Sequence, residues 1–440
     1  MAARPLRDFL ARHAETLFAA ALGVLVTAMT VRHVHRLGKH TPGALETLDR
    51  PLEVTDFEAF YRCALRMAQG LPMYHVDSLD RAAVVEQPSK QAPFFELLLQ
   101  PFCGHGIAFA IAAFGALSLL ALLHSLRLAR QLLADGGEGA PPWRFAPQAA
   151  LLLLLPTLHL NLLYWQTGIV LVWLLLLGAR WLGTRPLLAG AAWSVAIAMK
   201  VVPVVFLVFL LWRRQWRAAA GCVLGLLAAN GAVLAYTGYE RGVEQYRAYA
   251  QMLRSDPAFA EYHERYQGLP SLVRATVTAN YETGLVSRAQ QRDWNGTRNF
   301  LPSLAPWANA LSAGVVGLVL LVCAWACWPR RTATPQRLLQ EASLVAIALL
   351  LVSPHTWRHY YWWLFPTALL AVHGARRRER WALTIVAALV LGELLPHRGL
   401  LGSAATWFQV FHGHAITATI AFAALATHLV QERRPGQRAS

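Results

Sequence analysis

Residues 186–212 read PLLAGAAWSVAIAMKVVPVVFLVFLLW, two apolar runs bounded by Arg185 and Arg213 and joined at Lys200-Val201-Val202-Pro203. At ~1.5 Å of rise per residue, neither run is long enough to cross a ~30 Å hydrocarbon core. The spacing predicts a broken pair of helices lining a cavity rather than two lipid-facing spans. A lysine at such depth costs about 2.5–3.5 kcal/mol on insertion scales, so Lys200 is expected to face an anionic partner. The alternative is a lysine that snorkels to the headgroups.

Composition outside this stretch agrees with a membrane setting. Of 440 residues 56% are hydrophobic and only 15% charged, against ~25% charged in ordinary soluble domains. The formal charge of +16 could suggest nucleic acid, but the arginines sit mainly in short segments between apolar runs, which is a topology signal. No nucleic-acid partner is expected. Cys103, Cys222, Cys323 and Cys327 lie in or beside apolar runs and only Cys63 in a loop, so neither a disulfide framework nor a zinc spacing is present. Arg4, Arg7 and Arg12 before an apolar run resemble a signal peptide, but no small-residue cleavage site follows, and the run reads as a retained first span.

Apolar runs lie near 16–31, 93–128 (interrupted at Pro101–Gly106), 147–163, 167–182, 186–199, 201–212, 218–236, 305–328, 338–353, 360–374, 381–396 and 413–430. Basic groups flank them alternately, from Arg127, Arg130 and Arg144 through Arg213, Arg214 and Arg217 to Arg376–Arg380. Placing these in the cytoplasm predicts an all-α polytopic protein of about twelve spans, one membrane domain over 1–440, in the cell (inner) membrane with both termini cytoplasmic. Arg32 and Arg36, at the outer end of the first span, go against this scheme. Two long external loops result, about 38–91 and 237–304, the second rich in tyrosine and arginine and expected to carry interfacial helix.

Loop chemistry begins at Thr55-Asp56-Phe57-Glu58-Ala59-Phe60-Tyr61. Thr55 or Asp56 can cap a helix there, with Phe57, Phe60 and Tyr61 on one apolar face, and the helix is expected to lie on the membrane surface with a carboxylate at its tip. Asp56 is thus either a plain cap or a working carboxylate. Glu58 points elsewhere on the helix and ranks second as a base. A second constellation is Ser353-Pro354-His355-Thr356-Trp357-Arg358-His359-Tyr360-Tyr361-Trp362-Trp363. An interfacial belt explains its aromatics, whereas Arg358 and His359 suit a phosphate arriving from the outer leaflet. Gln166 is a polar group at an outer turn, and Glu96 and Glu393 are acids within apolar runs, functional candidates unless each pairs with a nearby arginine.

These pieces together resemble glycosyltransferase family 87. Asp56-Phe57 with Tyr61, then Gly70-Leu71-Pro72-Met73-Tyr74, Pro93 with Pro101, the Asn161–Gln166 turn, and Ala189-Gly190 leading to Lys200 and Pro203 occur in the family's order. Arg213-Arg214-Gln215-Trp216-Arg217, Gln267-Gly268-Leu269-Pro270 and Ser353-Pro354 with Trp357 and His359 follow. The chain departs from the family pattern at Gln91-Ala92-Pro93, Tyr266-Gln267-Gly268-Leu269, His355 and Arg358. The resemblance implies a GT-C-like bundle that transfers mannose or a related hexose from a polyprenyl-phosphate donor to a lipid or glycan acceptor. The family's loop aspartate, matched by Asp56, is implied to be the general base of an inverting transfer. Lys200, Arg358 and His359 are then expected at the donor phosphate, and Glu58, Tyr61, Gln166, Gln267 and Trp357 at the sugar or acceptor. Neither metal nor cofactor is expected. A transporter or flippase is the rival class, weakened by the lack of internal repeats, and a structural membrane subunit is a third.

Overall fold

The computed structural model describes residues 3–40, 56–74, 89–134, 143–254, 266–278, 305–329, 334–396, 398–402 and 404–432. Among these residues the chain is helical without named strands, an all-α membrane protein. In order the helices are α1 (Ala3–His40), α2 (Asp56–Ala68), α3 (Pro93–Cys103), α4 (Ile107–Ala134), α5 (Ala146–Leu153), α6 (Leu155–Leu163), α7 (Gly168–Trp181), α8 (Pro186–Met199), α9 (Val205–Trp212), α10 (Trp216–Thr237), α11 (Tyr239–Arg254) and α12 (Leu269–Thr278). They continue as α13 (Ala305–Ala326), α14 (Pro335–Val352), α15 (Phe365–Arg376), α16 (Arg380–Leu389), α17 (Arg398–Leu401), α18 (Ala404–Val410) and α19 (Gly413–Gln431).

Six described helices are long and apolar enough to cross a membrane, or seven if the bent pair α5 and α6 makes one span. That pair turns by 68°, so the run near 147–163 is a broken element. Pro156 sits at the start of α6, where its missing N–H is lost at a helix end and costs little. Two further runs are irregular: the one near 360–374 opens with a 3₁₀ segment, Arg358–Leu364, and the one near 381–396 closes with a π-helical turn, Val390–Leu394. π turns often mark functional positions.

The stretch 186–212 is two short helices around a break. α8 ends at Met199, and Lys200 is extended (φ −151°, ψ 123°). Pro203 carries no N–H to bond the Met199 carbonyl four residues back. That carbonyl accepts instead from the Ala92 N–H at 2.9 Å, which fastens the start of α3 to the break. α8 runs alongside α10 with their backbones nearly touching. A Cβ on Gly190 would lie 1.9 Å from the Ala218 carbonyl oxygen, one on Gly221 2.2 Å from that of Leu187, and one on Gly225 2.0 Å from Ser194 Oγ. Small residues permit such close packing where lipid offers no hydrophobic drive between helices.

The arginine-rich end is closed by buried charge. Glu341, on the first turns of α14, pairs with Arg213 Nε at 3.1 Å and Arg337 Nε at 2.9 Å, and Arg337 reaches Glu432 at 3.0 Å. α14 leads from there to Ser353 at the opposite end, and α10 likewise leads from Arg213–Arg217 to Thr237. At that opposite end α2 is packed into the bundle rather than laid on its surface. Phe57 meets Phe114 at 5.3 Å, Phe60 meets Phe95 at 5.5 Å, and Phe57, Phe60 and Tyr61 are all buried, as their shared helical face predicts. The capping position of Thr55 lies outside the described residues.

Candidate active site

Asp56 opens α2, and its Oδ2 accepts a hydrogen bond from Gln166 Nε2. The amide is aimed by the turn after α6: Trp165 adopts φ +50°, unusual for a bulky residue, and the Gln166 N–H donates to the Asn161 carbonyl at 2.8 Å. Gly168 closes the turn tightly, because a Cβ there would lie 2.3 Å from Asn161 Oδ1. Gln166 is buried and Asp56 half-buried, so the carboxylate has a fixed donor on one side.

Lys200 supplies the opposite charge. Its Nζ donates to the Tyr360 hydroxyl at 2.6 Å and stands 4.1 Å from that ring's centre. Asp56 is the anionic group acting on Lys200 and Lys90 a nearby cationic one. The direct partner of Lys200 is thus the neutral Tyr360 hydroxyl, with the charge of Asp56 acting from nearby, and Lys200 is 7% exposed rather than extended to the surface. A cleft of about 390 Å³ of atom-free space, solvent at its mouth included, runs past Lys200 and Tyr360. Thr167 and Gly168 form one wall, Ser353 and Thr356 another, and Leu349, Leu350 and Trp363 make the rest apolar.

His359 lies beside this pair. Its ring meets that of Tyr360 edge-on at 4.4 Å, its backbone carbonyl accepts from Asn161 Nδ2 at 2.7 Å, and its Nε2 has no hydrogen-bond partner among the described residues. Arg358 is turned away, its Nη2 donating to the Pro396 carbonyl at 3.1 Å. Trp357 packs on Tyr266 at 6.0 Å and bridges it backbone to backbone, joining the second loop to the 353–363 segment. Gln267 is a staple in the same joint. Its N–H donates to the Thr356 carbonyl at 2.6 Å, its Nε2 to that of Gln409 at 2.9 Å, and its carbonyl accepts from the Tyr361 hydroxyl at 2.8 Å.

Two candidates on α2 point elsewhere. Glu58 is fully buried against His33 of α1, 3.7 Å away, and Tyr61 donates to the Cys103 carbonyl at 3.2 Å. Glu96 is fully buried, both its carboxylate oxygens without a hydrogen-bond partner among the described residues, with Ser89, Cys63, Tyr74 and Tyr249 around it. Glu393 pairs with His414 Nδ1 at 2.9 Å, a histidine rather than the arginine expected, and accepts from Thr157 Oγ1 at 3.3 Å. The structure therefore brings Asp56, Gln166, Lys200 and His359 together, and adds Tyr360 and Asn161. Both additions stood within quoted motifs, Tyr360 read as a belt aromatic and Asn161 as a turn residue.

Comparison with family models gives a match to glycosyltransferase family 87 over residues 92–354. The match spans Gln166, Lys200 and Gln267, whereas Asp56 and Trp357–His359 lie outside it and join the site by geometry. Comparison with curated proteins and with solved structures gives no match.

Proposed function

Because the chain belongs to glycosyltransferase family 87 it is a membrane glycosyltransferase, and we propose that it moves a hexose, mannose first among the candidates, from a polyprenyl-phosphate donor to a lipid or glycan acceptor. One observation carries this reading: the Asp56 carboxylate is close enough to act on the Lys200 ammonium, which lines the cleft, and each is braced by a neutral partner, Gln166 and Tyr360. Asp56 takes the proton of an acceptor hydroxyl as that oxygen bonds to the anomeric carbon. The bond from that carbon to the phosphate oxygen breaks with inversion, and the electron pair leaves with the lipid phosphate. A phosphodiester with one charge thereby becomes a monoester approaching two, and Lys200 with its free donor positions offsets the gain. His359 is the second group at the phosphate. Arg358 needs a side-chain rotation away from Pro396 to join them.

The same proposal places the arginine-rich end in the cytoplasm with both termini, and the cleft on the external face of the cell membrane. The bundle is read as GT-C-like. Its count of about twelve crossings adds the short apolar helices and the broken segments to the six long spans. Purified protein incubated with radiolabelled polyprenyl-phosphate mannose and a membrane lipid extract is expected to pass label to an extractable lipid or glycan. Label that stays on the donor, or moves only from another polyprenyl-phosphate hexose, would sink the mannose assignment.

A further inference from the structure

The Gly70-Leu71-Pro72-Met73-Tyr74 turn takes no part in the cleft at Lys200 and stands at the other end of α2 from Asp56, ~20 Å away for a helix of this length. The turn is nonetheless built with care. Gln245 of α11 holds it from both sides, accepting from the Met73 N–H at 3.0 Å and donating to the Leu71 carbonyl at 3.4 Å. Cys63 Sγ bonds the Met73 carbonyl at 3.4 Å, and the Tyr74 hydroxyl bonds the Gln91 carbonyl at 3.1 Å. What these bonds shape is a second, polar cleft of about 800 Å³ of atom-free space between the end of α2 and the α10–α11 corner. Gln69, Gly70, Tyr236, Thr237 and Arg241 line it.

Arg241 is the charged group of this cleft. Its guanidinium rests over Gly70, which has φ +70° and no side chain to block it; a Cβ there would stand 2.9 Å from Nη1. Among the described residues Arg241 makes no hydrogen bond or ion pair, although Glu240 and Glu244 are close in sequence on the same helix. The neighbouring Gln69 amide is likewise exposed and offers two more N–H donors. The level of the cleft is marked by Tyr236 and Tyr239, 49% and 72% exposed at the end of the long apolar helix α10, the position that tyrosines take at a headgroup layer.

We propose that this cleft binds the phosphate of an anionic membrane lipid, with Arg241 and Gln69 as donors. A guanidinium fork matches two phosphate oxygens, and a group at headgroup level meets lipid phosphates before any other anion. This site is separate from the glycosyl-transfer cleft and does not depend on the reading given to it.

The test is native mass spectrometry of the full-length protein in detergent, titrated with phosphatidylglycerol, with diacylglycerol as the phosphate-free lipid and inorganic phosphate as competitor. Phosphatidylglycerol is expected to bind in preference to diacylglycerol. Arg241→Gln is expected to weaken that binding about 10-fold, the usual cost of one charge-assisted contact. Gln69→Glu, which sets a carboxylate opposite Arg241, is expected to weaken it as well, and Arg247→Gln, on an exposed part of α11 outside the cleft, to leave it unchanged. Binding by Arg241→Gln equal to the parent would overturn the proposal. So would an equal loss in Arg247→Gln, which would mean bulk charge, or displacement of the lipid by millimolar inorganic phosphate, which would make the ligand a free anion.

Discussion

Asp56→Asn keeps the shape of the side chain and the Gln166 contact geometry but cannot take a proton. Transfer of label from a polyprenyl-phosphate sugar is expected to fall by about 10²–10⁴ with donor binding nearly intact. Turnover at the parent rate would return Asp56 to the role of a helix cap. Lys200 separates differently, because the contact proposed for it is to a charged phosphate. Lys200→Ala is expected to lower donor affinity or turnover about 10- to 100-fold, and Lys200→Arg less, since a planar fork replaces a compact ammonium beside Tyr360. A lipid-donor titration comparing the two variants checks the order. Equal, parent-like binding in both would move the phosphate site to His359 and Arg358. Asp56 and Lys200 were both legible in the primary structure, one as an acid at a helix start and the other as a cation stranded in apolar sequence. Tyr360 was not, because a tyrosine in a run of aromatics carries no mark of the lysine 160 positions away that it meets.

The break between α8 and α9 is written in Lys200-Val201-Val202-Pro203, and any reading of proline chemistry finds it. What the break is fastened to is not written there. The Met199 carbonyl freed by Pro203 is taken by Ala92, more than a hundred positions earlier, and only the packed chain brings them together. The α8–α10 seam gives a prediction for the elements themselves. Gly190→Leu drives a side chain into the Ala218 backbone, and overpacking of that kind typically costs about 1–3 kcal/mol. A lower melting temperature in detergent is expected, together with weaker donor binding if Lys200 holds the phosphate, since Lys200 follows the last residue of α8 directly. Gly231→Leu, where nothing lies within 4 Å of a built Cβ, serves as the tolerant control. A melt of Gly190→Leu matching the parent would show that the seam can open without consequence.

Two ends of different character organise the molecule. At the arginine-rich end, Glu341 lies between Arg213 and Arg337, fully buried. Removing one partner of a buried pair leaves the other charge uncompensated, a loss of about 3–5 kcal/mol, so Glu341→Ala is expected to unfold well below the parent in a thermal melt. Its effect on donor binding should follow stability alone, because the site lies at the other end of α14. Topology is tested on a variant stripped of its five cysteines, Cys63, Cys103, Cys222, Cys323 and Cys327. Tyr239→Cys is expected to react with an impermeant maleimide in intact cells, and Arg378→Cys only after permeabilisation. The reverse pattern would invert the orientation.

Hydrophobic run lengths, arginine spacing and the prolines sufficed to specify a helical membrane protein with a broken element at Lys200, because those features act through local geometry and transfer energy. They overstated the regularity of the runs. Pro156 marks a candidate break in the run near 147–163, but it does not give the 68° bend between α5 and α6, which packing sets. Pairings across the chain had the same character: Asp56 with Gln166, Lys200 with Tyr360, Glu393 with His414, and the Gly70 turn with Arg241. Each joins residues whose separation in sequence says nothing of their separation in space. Tertiary packing decided them, because the fold alone sets which groups come near each other, and a buried polar group takes whichever partner it then finds within ~3 Å.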